Sequence, residues 1–247
     1  MIQFNDPKTE LNTERIKMKR KVSIKVYALL AFIMFLSNVV FAENRHTLNA
    51  LFSNGEQGRF LLKEESISFD KIPTSIDEFI SLRNQIAGKP KGASAIFIIA
   101  MMTYGRNNDL GKKFLTIALD RRLLIQNNSQ PNYKGYVPND KVMYFVKMMN
   151  NFSYKGNLYL GNIYIEGTDY NKGYTLPKNG PYTINFNQLT IKDENNIILY
   201  INTTSGNAPR PLVLRKNNRG IWKAIQVSSI FVGPMRSAKK ESIDDDL

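Results

Sequence analysis

The apolar positions between residues 72 and 150 recur with the period of an α-helix. Ser75 with Glu78 three residues later is typical of a capping box, and apolar residues follow at helical spacing. This pattern predicts an amphipathic helix that begins after Ser75. A Gly-Lys-Pro-Lys-Gly break at 88–92 separates it from the run 93–104, which has almost no polar residue. The run predicts a helix at the centre of the domain, because a helix that is apolar on all sides must be buried.

Two further helices are predicted before the pattern changes. Apolar residues between 110 and 117 share one face of a third helix, for which Asp109 can serve as the N-cap. A fourth helix over residues 142–149 would have Asn139 or Asp140 as its cap. The first half of the globular part is therefore predicted to be helical.

From Tyr154 the pattern alternates with period two, which predicts β-strands. Short links between these strands favour an antiparallel meander, since parallel pairing needs long crossovers. The predicted strands are 182–187, 197–201, 212–216 and 221–227, with a further one near Ile163 and Ile165. Helices followed by strands predict an α+β fold, in which N-terminal helices pack on a C-terminal antiparallel β-meander.

The segment 18–42 has the three parts of a signal peptide: a basic start, an apolar run at 26–36 and small or apolar residues before Glu43. We expect cleavage between Ala42 and Glu43, which would make the body periplasmic or extracellular. The alternative is an inner-membrane anchor formed by residues 26–42, because this length approaches the roughly 17–25 residues of a spanning helix. Both interpretations export the body, and only the second places the protein at a membrane.

Composition divides the chain further. The polar stretches carry no apolar period, whereas the region after Ile72 does. The predicted units are 1–17 as a misassigned or disordered start, 18–42 as a signal peptide or anchor, 43–71 as a polar leader, 72–236 as a single α+β domain, and 237–247 as a disordered charged tail.

The chain is basic, with 34 Lys and Arg against 21 Asp and Glu and a net charge of +13. Such a charge favours anionic partners. The basic residues are scattered and lack the aromatic stacking motif of a nucleic-acid reader, so nucleic acid is not an expected partner. An envelope protein or an anionic envelope component is expected instead, although a solvated basic surface would also explain the charge. The absence of cysteine excludes a disulfide scaffold and a thiolate nucleophile.

The catalytic inventory is small. His46 is the one histidine, so a multi-histidine metal site is excluded. It lies in the polar leader a few residues after the expected cut, which argues against a Ser-His-Asp triad. We expect no catalytic residue, no metal and no cofactor, and the sequence favours a non-catalytic binding module. The alternative is a hydrolase of envelope glycan that uses carboxylates alone. Its candidates are Asp70, Asp77, Glu78, Glu166, Asp169 and Asp193.

The most distinctive string is Pro-Arg-Pro-x-x-Leu-Arg at residues 209–215, which is followed by Trp222. Together with Pro-Thr-Ser at 73–75 and the apolar run, it resembles an uncharacterised bacterial family that is catalogued only as a domain of unknown function. The resemblance covers residues 72–236 and implies a domain limit but no activity. Structural roles are predicted for Pro209, Pro211, Gly220 and Gly233.

Arg210 lies between Pro209 and Pro211, which fix φ and remove two backbone donors, so the arginine is held on a stiff bend. One interpretation is that Arg210 and Arg215 form an anion or carboxylate clamp, since guanidinium groups suit bidentate contacts. The favoured interpretation is that each arginine pairs with an internal carboxylate or stacks on Trp222 or a tyrosine and fixes the sheet edge. Trp222 is accordingly a candidate binding residue and a candidate core residue.

Tyrosines separated by Gly and Asn predict a polar aromatic surface beside Arg210. The alternative is a set of ordinary half-buried strand tyrosines. The residues concerned are Tyr159, Tyr164, Tyr170, Tyr174 and Tyr182.

Overall fold

The computed structural model describes residues 46–51, 57–62, 65–150, 161–206 and 208–232. All of them belong to one compact unit, Arg45–Leu247. Within this part of the chain, no helix is both long and apolar enough to cross a membrane. The predictions for the cleavage site Ala42–Glu43, for Tyr159 and for Gly233 lie outside the described residues.

A seven-stranded antiparallel sheet is the frame of the unit, in the order β1-β2-β3-β6-β7-β8-β9. The last four strands form the predicted meander. The strands are β1 (His46–Leu51), β2 (Gln57–Leu62), β3 (Ser66–Phe69), β6 (Tyr182–Asp193), β7 (Asn196–Ile201), β8 (Arg210–Lys216) and β9 (Trp222–Gln226). Two short strands, β4 (Leu124–Gln126) and β5 (Tyr136–Pro138), form a separate hairpin.

The first three strands correct the predicted order of elements, because they precede the helices. The prediction of a polar leader over residues 43–71 did not include these three strands. Strand β3 pairs with β6 from Ser66 opposite Asn185 to Phe69 opposite Tyr182, and the side chains of Ile67 and Phe69 belong to the hydrophobic core. The alternation of β3 covers only four residues, which is too short to be recognised in the sequence. This strand is stabilised by pairing with β6, which lies more than a hundred residues away.

The described residues contain these α-helices, between and after the strands: α1 (Ile76–Ile86), α2 (Pro90–Tyr104), α3 (Asn108–Ala118), α4 (Asp140–Asn150) and α5 (Ser228–Phe231). The predicted capping box of α1 is confirmed. The Ser75 hydroxyl accepts a hydrogen bond from the Glu78 backbone N–H at 3.3 Å, and a Glu78 carboxylate oxygen accepts one from the Ser75 N–H at 3.2 Å. Both orphan donors at the start of α1 are thereby satisfied.

Helix α2 is the predicted core helix, and every residue from Gly92 to Tyr104 is buried. It begins at Pro90, inside the predicted break, because proline at the first helical position loses no hydrogen bond. Helix α3 is capped by Asn107, whose side chain accepts from the Leu110 N–H, and not by Asp109. Asn and Asp are both preferred N-cap residues. The local sequence therefore does not decide whether the helix begins after residue 107 or after residue 109.

The start of α4 resolves the alternative left open by the sequence. The Asn139 side-chain oxygen accepts a hydrogen bond from the Val142 N–H at 3.0 Å, so Asn139 is the cap and Asp140 is the first helical residue.

Helices α2 and α3 approach each other closely at a glycine. A Cβ added to Gly111 would lie 2.1 Å from the Tyr104 Cα, which belongs to the backbone of α2. No side chain fits there, so this glycine is required by packing and not by backbone conformation.

Residues 162–165 contain no strand, contrary to the prediction. Residues Asn162–Tyr164 form a 3-10 turn instead, and Tyr164 is fully buried with its hydroxyl donating to the Ile230 carbonyl at 2.7 Å. The apolar residues of this irregular segment are buried because the segment packs on the core. An alternating sequence pattern does not distinguish such a segment from a strand.

The end of α3 lies beside the edge strand β9. The Asp120 N–H donates to the Ala224 carbonyl at 2.8 Å, and Leu119 forms an isolated parallel bridge with Ala224. This contact brings the C-terminus of α3, the β4–β5 hairpin and the outer edge of the sheet together.

Candidate anion-binding site

A cleft of about 340 Å³ lies where the end of α3, the β4–β5 hairpin and strand β9 meet. We refer to it as the inner cleft. Its charged lining consists of one carboxylate, that of Asp120, and four cations: Arg83, Arg121, Lys134 and Lys223. The four cations come from α1, from the turn after α3, from the β4–β5 hairpin and from β9. The cleft therefore concentrates positive charge from distant parts of the chain.

Lys223 is the most buried of these cations. Its ammonium group donates a hydrogen bond to the Ile117 carbonyl, which is among the last carbonyls of α3. Burial, with a further contribution from the charge of Arg83, lowers the pKa of Lys223 to about 8, while Asp120 acts in the opposite direction. The contact with the negative end of a helix favours the charged form. Two N–H bonds of the ammonium are left over, since the described residues accept only this one.

Arg83 is half-buried on α1 and faces the same cleft. Its Nε and Nη2 atoms donate to the Asn84 side-chain oxygen at 3.1 and 2.7 Å. Burial lowers the pKa of Arg83, and the nearby charge of Arg219 lowers it further, while Tyr133 acts in the opposite direction. An arginine remains protonated under all ordinary conditions. Arg83 is thus a permanent charge placed near other cations.

The tip of the β4–β5 hairpin holds Lys134 in a strained conformation. Tyr133 and Tyr136 exchange two backbone hydrogen bonds of 3.0 Å, and Lys134 and Gly135 between them have φ values of 52° and 76°. Two positive φ values are those of a type I′ turn, which favours Asn-Gly. A lysine at the first position costs stability, and this cost is a reason to ask what its side chain does there.

The aromatic rings of the cleft are covered by cations. The Arg121 guanidinium carbon lies 4.0 Å from the centre of the Tyr136 ring, and the Lys134 ammonium lies 5.6 Å from that of Tyr133. Such contacts fix long cationic side chains over a flat surface. The rings therefore support the cations and are not open stacking platforms.

Asp120 does not neutralise the cleft. One of its oxygens accepts from the backbone N–H of Arg122 at 3.0 Å and from the Arg122 Nε at 3.1 Å. No other cation around the cleft forms an ion pair with a described carboxylate. Asp120 also favours the charged form of Lys223, so one carboxylate partly offsets four cations in the lining of the inner cleft.

A second cleft of about 310 Å³ adjoins the first and shares Asp120 and Asn217 with it. We refer to it as the outer cleft. It adds the cations Arg215, Lys216 and Arg219, which lie at the end of β8 and in the following turn. The Asn217 side-chain oxygen accepts from the N–H groups of Arg219 and Ile221 at 2.9 and 3.0 Å, and this fixes the turn.

A clamp of Arg210 and Arg215 is not formed. The two residues lie at opposite ends of β8, roughly 16 Å apart at the usual rise of a strand, and five positions put their side chains on opposite faces. Arg215 lines the outer cleft, whereas Arg210 lies opposite Ile201 near the buried hydroxyl of Tyr164. Of the two arginines, Arg215 is the one that the structure places with other cations.

Trp222 lies in the core and not in a cleft. It is 8 % exposed, and its backbone N–H donates to the Ala87 carbonyl at 2.9 Å, which joins β9 to the end of α1. Of the two roles considered for Trp222, a binding residue or a core residue, the structure supports the core residue.

The predicted structural positions have clear surroundings where they are described. Pro211 pairs with Tyr200 of β7, and β9 covers β8 only from Val213 onward, so the missing donor of Pro211 has no strand neighbour on that side. Gly220 has a φ of 76° in the turn between β8 and β9. Pro209 immediately precedes β8.

The predicted tyrosine surface is wrong. Tyr164 and Tyr174 are fully buried, and the Tyr174 hydroxyl donates to the Ser205 hydroxyl at 3.0 Å. Tyr170 is exposed and Tyr182 is half-buried. The alternative, a set of half-buried tyrosines, agrees better with the structure, although Tyr164 and Tyr174 belong to the core.

The largest of the described clefts, about 520 Å³, lies elsewhere, between the start of α1 and the end of α2. Its lining is mostly apolar and includes Ile72, Pro73 and Tyr182, and its charges are those of Asp70, Lys71 and Arg106. Arg106 donates to the Met102 carbonyl at 2.7 Å, so its guanidinium already serves the end of α2. Size alone does not make it the better candidate, because its charges nearly balance.

Each of these three clefts contains a single carboxylate, Asp70 in the largest and Asp120 in the other two. Glu78, another proposed candidate, is bound to Thr74 and Ser75 in the capping box. The described residues also contain no group of His, Asp or Glu arranged to hold a metal ion. A carboxylate-only hydrolase requires two facing acids, so these clefts give it no support.

The fold and the two clefts together define a mixed α+β domain with a basic groove at one sheet edge. A family model described as a domain of unknown function (DUF6935) matches residues 71–238, and the chain belongs to this family. Comparisons with curated proteins and with solved structures gave no match. The family description assigns no activity, so function has to be argued from the groove.

Proposed function

We propose that this chain is an exported bacterial binding module, without catalytic activity, that recognises an anionic component of the cell envelope in its inner cleft. The observation that carries the proposal is the convergence of Arg83, Arg121, Lys134 and the mostly buried Lys223 around one carboxylate, Asp120. Burying a charge near like charges is costly. A bound anion would offset that cost, and this explains why the arrangement is retained.

Internal structure does not account for all four cations. Lys223 stabilises the end of α3, and Arg121 donates to the Leu124 carbonyl at 3.1 Å. Arg83 lies in the last turn of α1, where a cation is favourable. Lys134 serves no helix end, and it occupies a position where asparagine would be more stable. Anion binding explains the cations that a structural role leaves unexplained.

The test is titration of the purified chain with inorganic phosphate and with sulfate by isothermal titration calorimetry. The variant Lys223→Gln keeps a donor for the Ile117 carbonyl but removes the charge. We expect it to weaken binding by about tenfold, because a hydrogen bond to a charged group contributes roughly 1.5–3 kcal/mol. Arg83→Gln should do the same.

The matched control is Lys178→Gln, which removes an exposed lysine that lines none of the three clefts. Its affinity should equal that of the wild type. Equal weakening by Lys178→Gln and Lys223→Gln would show that only net charge matters, and the proposed site would then be wrong. Absence of saturable binding in the wild type would also reject it.

Export is a separate part of the proposal and rests on the segment 18–42. Intact mass and fractionation of the chain expressed with its native N-terminus test it, with Ala42→Arg as the variant that should block cleavage. A product that begins at Glu43 outside the cytoplasm would support export, whereas retention of the wild type in the cytoplasm would contradict it.

A further inference from the structure

We infer that the ligand is a linear chain of phosphate groups, which enters the inner cleft and continues along the outer cleft. The inference rests on the proposed function, because it names the class of anion that the same site would take. A single small anion would need the inner cleft only. The structure offers a second set of cations beside it, and these would remain unused by a single anion.

The two clefts form one groove. They share the residues Asp120 and Asn217 in their linings. Arg215 of the outer cleft pairs directly with Lys223 of the inner cleft across β8 and β9, so their side chains leave the same face of the sheet. Residues paired in this way have Cβ atoms roughly 5 Å apart. The pair Arg215 and Lys223 thus connects the two clefts.

Electrostatics gives a second link between the clefts. Arg219 of the outer cleft is close enough to Arg83 of the inner cleft to lower its pKa, and Arg83 in turn lowers that of Lys223. Three of the seven cations, one from the outer cleft and two from the inner cleft, are therefore close enough to act on one another. Asp193 lines neither cleft and is exposed. Its pKa is lowered mainly by hydrogen bonding from Asn196, and the charge of Arg215 contributes least. A ligand with several negative groups matches the cations of the groove better than a single anion.

The arrangement favours phosphate as the repeating group. The cations approach the inner cleft from different directions, since they come from four separate elements. A tetrahedral phosphate accepts from several directions, whereas a carboxylate accepts in one plane. Arginine is also the residue best suited to phosphate, and Arg83, Arg215 and Arg219 lie along the groove.

The groove does not favour a nucleic acid. Proteins that bind single strands without sequence preference stack bases on open aromatic rings. The rings here, Tyr133 and Tyr136, are covered by Lys134 and Arg121. The groove would bind phosphates through their charge, but it offers no open aromatic ring on which a base could stack.

The experiment compares inorganic phosphate with a short linear polyphosphate, using the full chain and calorimetry over a series of salt concentrations. The double variant Arg215→Gln, Arg219→Gln removes two cations that line the outer cleft and leaves every residue that lines the inner cleft in place, and Lys178→Gln is the control. We expect the polyphosphate to bind at least tenfold more tightly than phosphate to the wild type. The double variant should lose about tenfold in polyphosphate affinity and stay within about twofold for phosphate. The slope of log affinity against log salt should fall by about 1 to 2.

The outcomes separate this inference from the proposed function. Phosphate binding with no gain for polyphosphate would overturn the chain ligand and leave the anion site intact. No binding of either would overturn both. Equal affinity for a polyglutamate of the same charge would overturn phosphate as the repeating group, and tighter binding of a single-stranded oligonucleotide would point to a nucleic acid instead. Circular dichroism of each variant checks that the fold is unchanged.

Discussion

Arg215 and Lys223 lie directly opposite each other in the antiparallel pairing of β8 and β9. Like charges at opposed positions of a sheet are destabilising, and Arg83 adds a third cation on the side of Lys223. The chain thus keeps a repulsive cluster at the edge of an otherwise ordinary sheet. An anion in the groove would be attracted by all three cations. Since the pKa of Lys223 is about 8, a change of pH near this value should change the charge of this cluster.

Anion affinity should depend on pH through Lys223. Because its pKa is about 8, it loses its proton as the pH rises through that value, while the arginines stay charged. We expect sulfate affinity to fall between about pH 7 and 9 in the wild type and to stay constant in Lys223→Gln. Sulfate is the appropriate probe because it does not titrate in this range. A wild-type profile as flat as that of the variant would contradict the assignment.

The stability of the ligand-free protein should change in the opposite sense. The folded-state pKa of Lys223 lies below its unfolded value of 10.5, so the unfolded chain binds more protons between these values. Stability should rise with pH from about 8, by up to about 1.4 kcal/mol per pH unit. Above about pH 10, ionisation of tyrosines in the unfolded chain opposes the effect, since burial raises the pKa of Tyr164.

Urea unfolding at about pH 7.5 and 9.5 measures this effect, with Lys223→Gln as the reference. The rise should be present in the wild type and absent in the variant. A wild type that loses stability over this window, while the variant does not, would show that the charged lysine is favoured by folding.

Substitution of Lys134 should separate stability from function. The variant Lys134→Asn puts the preferred residue at the first position of the type I′ turn, where φ is 52°. We expect it to gain roughly 0.5–1 kcal/mol of stability, a part of the strain that lysine carries there. Phosphate affinity should fall severalfold because a cation is lost.

The control for this prediction is Lys134→Gln, which removes the charge without relieving the strain. It should lose phosphate affinity to the same extent at unchanged stability. If Lys134→Asn binds phosphate as tightly as the wild type, the strained lysine has no part in the site.

Packing of α2 against α3 gives a prediction that does not depend on function. Gly111→Ala places a methyl group against the Tyr104 backbone and should destabilise the protein by about 1–3 kcal/mol or more. Gly88→Ala is the matched control, because nothing lies within 4 Å of an added Cβ there. It should be neutral or slightly stabilising in thermal unfolding. Equal stability of the two variants would mean that the helices do not cross so closely.

Much of the helical part was predictable because its signals are local. The capping box at Ser75 and Glu78 lies within four residues. The apolar run of α2 predicts a buried helix without any knowledge of the residues that pack on it. Strand β3 could not be predicted in this way, since its four residues acquire meaning only when paired with β6. The length of β6 was also underestimated, because a register irregularity after Phe186 interrupts the alternation.

The site was much less predictable than the fold. Arg83, Arg121, Lys134 and Lys223 span 140 residues and have no regular spacing, so they look like scattered surface charge in the sequence. Arg215 was found because it belongs to a distinctive string. The lysine-glycine pair at the tip of a short hairpin is the one local signal that could have directed attention to the groove.

The most direct test of the anion site is a phosphate titration of the isotope-labelled chain, followed residue by residue by nuclear magnetic resonance. We expect saturable shifts of the backbone amides around the inner cleft, at Asp120, Lys134, Asn217 and Lys223, which are reduced in Lys223→Gln. Shifts spread over the exposed lysines without saturation, or centred on the cleft of Arg106, would contradict the assignment of the inner cleft as an anion-binding site.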